Sequence, residues 1–297
     1  MIKEGIHATC LSFLLSKAEQ QKYFHRMFKT KEEATKGCPG SENLPSNMVK
    51  TSDIADKVRI AFPNAVTNQE FVYNVTEALK EYGYTNSNTL LATSFCCDKV
   101  NRPLERMLSN HYSRNFSMGG LAGFPFGGVA SFKEMAQHIP DGGSSLIIYG
   151  PHVGIDKEGN ISVHNPHGKA MIGACCESAI SALEHVGAVK AGTATNEIDP
   201  LDFQQSMVNK MLLPYINRIE KSKNEKEELP QCLYEAQKKM VKDIVDAGHG
   251  DVFDPESKIA ILGGIQINTA LDGLDFFLPL DFEIRASDNA TIANLLW

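Results

Sequence analysis

The sequence predicts an α/β fold, a mostly parallel sheet with helices on both faces. Apolar runs of strand length occupy residues 89–95, 144–149 and 259–267, and residues 275–285 add an alternating run. Patterns of helical spacing separate these runs, and strands that alternate with helices form parallel sheets covered on both sides. In such folds the loops that leave the carboxyl ends of the strands build the functional site.

The individual elements follow from local signals. Residues 67–82 are predicted to be a helix, with Thr67 as its N-cap and Glu70 completing a capping box. A second helix is expected to open at Pro103, because proline suits the first helical position, so residues 96–102 form a strand-to-helix loop. Later helices are predicted at 173–185, 201–221 and 232–247, with the charged run 221–228 between the last two.

The N-terminal part of the chain differs in pattern from the rest. Residues 1–36 carry apolar side chains at a loose helical spacing, and the glycine- and proline-rich stretch 37–46 interrupts it. We therefore predict an N-terminal helical extension and linker over residues 1–60 and an α/β domain over residues 61–297.

Composition excludes several classes of function. A formal charge of −7 argues against nucleic acid or an acidic membrane surface as a partner. No apolar run approaches the roughly 18 residues of a membrane span, and the first twenty residues lack a secretory pattern. Seven cysteines, an odd number in two adjacent pairs and three single positions, indicate reduced thiols. We expect a cytoplasmic protein or one of an organelle stroma.

Three short segments carry soft metal ligands. Cys96 ends the first strand, His152 lies in a glycine-bounded loop after the second, and Cys175 and Cys176 fall at a helix start. Two thiols and one imidazole are what a catalytic zinc needs when its fourth position stays open. Either cysteine of the pair could be the third ligand. Without a metal, Cys96 could instead be a nucleophile with His152 as its base, and either residue alone could be merely structural.

Other candidates are weaker. The glycine-rich stretch 119–128 lacks the lysine of a phosphate-binding loop, so we interpret it as close backbone packing around an apolar pocket. His164 and His167 are interpreted as surface-loop residues, with a proton shuttle near the site as the alternative.

With these residues laid out, the chain resembles the limiting-CO2-inducible B protein family, whose active members are called theta-class carbonic anhydrases. The similarity runs from about Phe62 to Arg285. It rests on the segments 88–94, 96–102, 119–128, 149–154, 174–176 and 262–269.

The resemblance implies a fold similar to that of beta-class carbonic anhydrases, a homodimer, and Zn²⁺ as cofactor. The implied activity is reversible hydration of carbon dioxide to bicarbonate. An alternative is a catalytically inactive, zinc-stabilised scaffold or partner subunit in carbon-dioxide handling, because not every member of such a family need be active.

Residue roles follow from the same resemblance. The zinc ligands become Cys96, His152 and Cys176, with Cys175 as the alternative because Glu177-Ser178 replaces the Gly-Ala that usually follows the family cysteine. The implied catalytic pair is Asp98, which orients the attacking hydroxide, and Arg102, which holds Asp98 away from the metal. Phe95 and Phe124 are the expected apolar wall for the substrate.

Overall fold

A computed structural model describes residues 51–112, 115–156, 158–162, 176–250, 253–269 and 274–296. Of the extension predicted over residues 1–60, residues 1–50 lie outside the described residues. The described residues form a nine-stranded sheet flanked by helices, which confirms the α/β prediction. None of the described helices combines the length and apolar character needed to cross a membrane.

The elements are numbered in chain order. The helices are α1 Thr51–Ala61, α2 Asn68–Lys80, α3 Arg102–Tyr112, α4 Gly128–Ala136, α5 Glu177–Lys190, α6 Phe203–Leu212, α7 Ile216–Lys221 and α8 Glu225–Gly248. The strands are β1 Val66–Thr67, β2 Thr89–Ser94, β3 Asn115–Ser117, β4 Ser144–Tyr149, β5 His152–Ile155, β6 Ile161–Ser162, β7 Lys258–Thr269, β8 Phe276–Ala286 and β9 Thr291–Asn294.

The centre of the sheet is parallel and one side is antiparallel. The main path runs β1-β8-β7-β4-β2-β3. Strands β3, β2, β4 and β7 are mutually parallel, and β5 also pairs parallel with β7. Strands β8, β9 and β1 continue the sheet in antiparallel fashion, and β6 pairs antiparallel with β5. The predicted mostly parallel arrangement therefore describes the centre, where the carboxyl ends of β2 and β4 lie side by side.

Alternate side chains of the central strands enter two different cores. On β2, Leu90 and Ala92 pack with helices α1, α4 and α8, whereas Leu91 packs with α2 and α3. This division follows from the two-residue period of a strand. A third apolar cluster joins helices α5 to α8 and includes Cys96 and Cys176.

Helix α1 belongs to the α/β unit. Its residues Ile54 and Val58 are fully buried among residues of the central sheet. The apolar face of α1 therefore completes the core on one side of the sheet, and the domain boundary at residue 61 stays a prediction.

Local signals account for most helix ends. The capping box of α2 is present: the Glu70 amide donates to Thr67 Oγ1, and Glu70 accepts from the Thr67 amide. The helix predicted over 201–221 is divided into α6 and α7 at Pro214, which has no N–H to donate. Helix α8 begins at Glu225 rather than residue 232, because Asn224 caps it and its first turn is acidic.

Candidate metal centre

Cys96 lies just beyond the end of β2 in a loop that is held by its backbone. Its side chain is 4% exposed. Asn101 Nδ2 donates to the Cys96 carbonyl at 3.2 Å, and the Cys97 amide donates to the Gly120 carbonyl at 3.2 Å. The loop predicted over residues 96–102 is present, and it contains one short 3₁₀ turn, Lys99–Asn101. These hydrogen bonds fix the backbone position from which the Cys96 side chain extends.

His152 is the first residue of a short strand and does not lie in the predicted loop. Strands β4 and β5 run along β7 in one continuous register, with Tyr149 opposite Gly263 and His152 opposite Gln266. Only Gly150 and Pro151 separate the two strands. A Cβ on Gly150 would lie 2.0 Å from the carbonyl oxygen of β7 opposite it, so only glycine fits. The sheet therefore fixes the backbone that carries the imidazole.

One nitrogen of the His152 ring is held and the other is free. His152 Nδ1 lies 3.2 Å from Asn268 Oδ1. Asn268 Nδ2 donates to the Val100 carbonyl at 3.2 Å and to Asp275 Oδ2 at 3.3 Å, which assigns Oδ1 as acceptor and the ring proton to Nδ1. His152 Nε2 is buried with no hydrogen-bond partner. A histidine that donates from one nitrogen and presents the other is arranged as a metal ligand.

Cys176 completes the cluster from a distant part of the chain. It is the N-cap residue of α5 and is 2% exposed. Its Sγ lies 3.8 Å from Cys96 Sγ, and the ligand atoms of Cys96, His152 and Cys176 all lie within 4.8 Å of one another. The structure therefore brings the three segments together. Cys175 lies outside the described residues.

The electrostatics of the cluster favour thiolate. Hydrogen bonding from Cys176, helped by the neighbouring His152 ring, lowers the pKa of the Cys96 thiol to about 4. Partial desolvation raises the pKa of the adjacent Cys97, whose side chain is exposed and outside the cluster. Thiolate is the form that binds metal. Two sulfurs and one imidazole nitrogen, buried together, fit a tetrahedral zinc site with one open position.

Asp98 and Arg102 both lie on the Cys96 loop, but they are not paired with each other. Asp98 accepts from the Val100 amide at 3.3 Å and so caps the short 3₁₀ turn. Arg102 forms its ion pair with Glu105 one helical turn away. Glu105 is mostly buried and also accepts from Thr93 Oγ1 at 3.1 Å. Sequence analysis missed Glu105, although its i, i+3 spacing from Arg102 on a helix was a usable signal.

The two phenylalanines proposed as a substrate wall lie in different places. Phe95 packs edge-on against Phe277, with ring centroids 6.3 Å apart, in the core of α2 and α3. Phe124 stacks on Phe126 in the third cluster, the one that contains Cys96 and Cys176. Only Phe124 therefore shares a cluster with the thiol ligands.

A cavity of about 100 Å³ lies directly beside the Cys–His–Cys cluster. It touches His152 and Cys176, and neither Phe95 nor Phe124 lines it. Its remaining walls come mainly from apolar side chains of α5 and α8, with one charged pair from the first turn of α8. The lining residues besides the ligands are Val153, Ala179, Ile180, Leu183, Glu225, Lys226, Leu229, Pro230 and Leu233.

The glycine-rich stretch packs its backbone closely against the segments that carry Cys96 and His152, as predicted, but none of its residues lines the cavity. Ser94 Oγ donates to the Gly123 carbonyl at 2.8 Å. Gly123 has a φ of +86°, and a Cβ there would lie 2.7 Å from the Gly150 carbonyl. The close approach and the left-handed backbone both require glycine. His164 and His167 lie outside the described residues.

Fold and site together define an α/β protein with a buried Cys–His–Cys cluster that could bind a metal ion at the carboxyl ends of parallel strands. Residues 65–286 match the family model described as limiting CO2-inducible proteins B/C beta carbonic anhydrases. The chain belongs to this family, which confirms the resemblance drawn from its motifs.

Solved structures agree with this assignment. The chain is similar to the crystal structure of PtLCIB4, a homolog of the limiting CO2-inducible protein LCIB, with 45% identity and a TM-score of 0.75 over 82% of this chain and 100% of that one. A histidine-to-alanine variant of PtLCIB4 matches at 44% identity and a TM-score of 0.75, over 82% and 98% of the two chains. LCIB itself matches at 21% identity, with a TM-score of 0.60 over 76% and 92%, which supports the fold alone. None of the curated proteins compared matches the chain.

Proposed function

We propose that this protein is a zinc-dependent carbonic anhydrase that interconverts carbon dioxide and bicarbonate. The observation that carries the proposal is the His152 ring, whose Nδ1 is held by Asn268 while its buried Nε2 has no partner, beside two buried thiols. A buried nitrogen without a partner is costly unless a ligand satisfies it. Membership of the family supplies the expected reaction.

The fold already positions the side chains that we propose as zinc ligands, and it favours the thiolate form of Cys96. Cys96, His152 and Cys176 would hold the zinc, which would supply a Lewis acid that lowers the pKa of water, less strongly with two thiolates than with three neutral histidines. The low pKa of Cys96 keeps its sulfur in the binding form. The pairing of β2 with β4, and the continuous register of β4 and β5 along β7, place His152 in the same sheet as the strand that precedes Cys96.

The cavity beside His152 and Cys176 suits a small apolar substrate. Carbon dioxide carries no net charge, so leucine, isoleucine and alanine side chains bind it without any loss of hydrogen bonds. Bicarbonate is charged, so placing it against the same apolar side chains costs free energy of desolvation. The cavity therefore favours carbon dioxide over bicarbonate, and we place carbon dioxide here rather than against Phe95.

Asp98 is proposed to accept a hydrogen bond from the attacking oxygen and so to orient it. Its expected partner Arg102 is engaged by Glu105, but the Arg102 side chain is 42% exposed and has room to turn. Pairing of Arg102 with Asp98 belongs to the proposal, as does the homodimer, which light scattering of the purified protein would test.

The Arg102–Glu105 ion pair also favours a second candidate function. If Arg102 stays with Glu105 and Asp98 only caps its turn, the protein would bind zinc as a stabilising element and act as a scaffold or partner subunit. Stoichiometric zinc without measurable hydration would select this function.

One experiment separates these functions from a metal-free thiol enzyme. Zinc content and stopped-flow hydration of carbon dioxide are measured for the wild type, Cys96→Ser and Cys97→Ser. Cys97→Ser is the matched control, because it removes an exposed neighbouring thiol outside the cluster. We expect one zinc per chain and activity in the wild type and the control, and loss of both in Cys96→Ser. A purified wild type without metal contradicts both zinc functions and favours Cys96 as a nucleophile.

A further inference from the structure

Buried polar atoms without partners concentrate around the ligand segments. Among the described residues, eight buried side-chain nitrogen or oxygen atoms lack a hydrogen-bond partner. Five of these eight belong to Asn101, His152, Gln237 and Gln266. Asn101 bonds the Cys96 carbonyl, Gln237 lies against Gly123 of the glycine-rich stretch, and Gln266 is the register partner of His152. Buried polar groups are normally satisfied, so a local excess indicates that something polar binds there.

Gln266 is the extreme member of this group. It is fully buried, and both its Oε1 and its Nε2 lack partners. The neighbouring polar residue on the same strand, Asn268, is oriented by hydrogen bonds from both ends of its carboxamide. A glutamine that served only to fill the core would be replaced without loss by an apolar side chain of the same length.

The register places Gln266 next to His152. The two residues are Cα partners in the parallel pairing of β5 with β7. Side chains alternate between the two faces of a sheet, so paired residues share a face. The bond from His152 to Asn268, two residues along the same strand, shows that this face is the one that holds the imidazole.

We propose that Gln266 forms hydrogen bonds with the oxygen atoms of the reactant beside His152. It thereby positions bicarbonate for dehydration and carbon dioxide for hydration. A carboxamide offers one acceptor and a donor side by side. Bicarbonate offers the complement, a hydroxyl that donates and an oxygen that accepts, so one glutamine satisfies both of its own atoms on a single small oxyanion. This inference rests on the proposed function and names a residue that its mechanism leaves out.

The test compares the stability and the activity of one variant, because only the activity should fall. Gln266→Met keeps the length of the side chain and removes both polar atoms. We expect full zinc content, a melting temperature equal to or above that of the wild type, and at least a tenfold loss of kcat/KM for bicarbonate dehydration. Bicarbonate should raise the melting temperature of the wild type and leave that of Gln266→Met unchanged.

The controls separate binding from packing. Ser145→Ala removes another buried hydroxyl that lacks a partner, at the opposite end of β4 from His152, and should leave kinetics and the bicarbonate shift unchanged. Gln266→Asn retains the carboxamide one methylene further back and should fall between wild type and Gln266→Met. If Gln266→Met does not fold, Gln266→Asn is used as the test variant instead. Weaker bicarbonate binding by Gln266→Asn at full zinc content then supports the inference, and unchanged binding overturns it.

The outcomes also separate this inference from the proposed function. A wild type without hydration activity contradicts the proposed function, and the bicarbonate shift then still decides whether Gln266 binds the oxyanion. An active wild type with unchanged kinetics in Gln266→Met overturns only the role of Gln266. A folded Gln266→Met protein in which the melting temperature and the activity both fall shows that Gln266 is a structural residue, and this result also overturns the inference.

Discussion

Replacing Asn268 by alanine should weaken metal binding without removing any ligand. Asn268 Oδ1 accepts a hydrogen bond from His152 Nδ1 at 3.2 Å, and Asn268 is itself oriented by Val100 and Asp275. Truncation frees the imidazole to rotate and to change tautomer. Loss of such a supporting residue typically costs 10- to 100-fold in metal affinity, about 1.4–2.8 kcal/mol.

The same change should also lower the stability of the metal-free protein. It leaves the buried His152 Nδ1 and the Val100 carbonyl without partners, and an unsatisfied buried group costs about 1–3 kcal/mol. The free energy of unfolding from a denaturant titration measures this loss. Zinc affinity is measured separately, by competition with a chromophoric chelator at fixed pH.

The control for this experiment is Asn88→Ala. Asn88 Nδ2 donates to the Gly83 carbonyl at 2.9 Å, at the end of β2 opposite to Cys96. Its loss should lower stability while zinc affinity stays the same. Zinc affinity of Asn268→Ala within twofold of the wild type would refute the assignment of His152 Nδ1 as the held nitrogen.

Two further predictions concern the framework. Gly150→Ala should destabilise the protein by about 1–3 kcal/mol, because its Cβ would overlap a backbone carbonyl of β7. The control is Gly187→Ala in α5, where an added Cβ meets no atom within 4 Å. In the same denaturant titration this control should be neutral or stabilising. The second concerns Asp246, whose pKa is lowered by hydrogen bonding from Asn289 and by the ion pair with buried Arg285. Its carboxylate therefore contributes stability above the usual aspartate range of about pH 4, and this contribution is lost as the pH falls through the lowered value. Asp246→Asn should flatten the decline of stability between neutral and acid pH, and an unchanged slope would count against the ion pair.

Much of the fold could be predicted because its signals are local. The capping box at Thr67 and Glu70 depends on residues three apart, and it is present. The strand at 89–95 and the loop that begins at Cys96 are marked by an apolar run and by Pro103. Where the prediction was wrong, a second local signal outweighed the first: Pro214 divides one predicted helix, and Asn224 starts another seven residues early.

The site could be predicted only as a set of residues. Cys96 and His152 were identified from their types and their places after strands, but the sequence does not state their partners. His152 was assigned to a loop because Gly150 and Pro151 precede it, whereas pairing with β7 makes it the start of a strand. Arg102 was assigned to Asp98 by resemblance, and the helix instead offers it Glu105 at i, i+3.

Residue types and local patterns alone specify the available chemistry: two thiols, one imidazole and a parallel sheet whose strand ends would carry them. Folding is what brings Cys176 to 3.8 Å from Cys96 across 80 residues of chain and Asn268 to His152 across 116. Such contacts depend on strand register and helix packing, which sum many weak apolar contacts distributed over the whole domain. Local residue patterns specify elements, and the packing of these elements specifies which atoms meet.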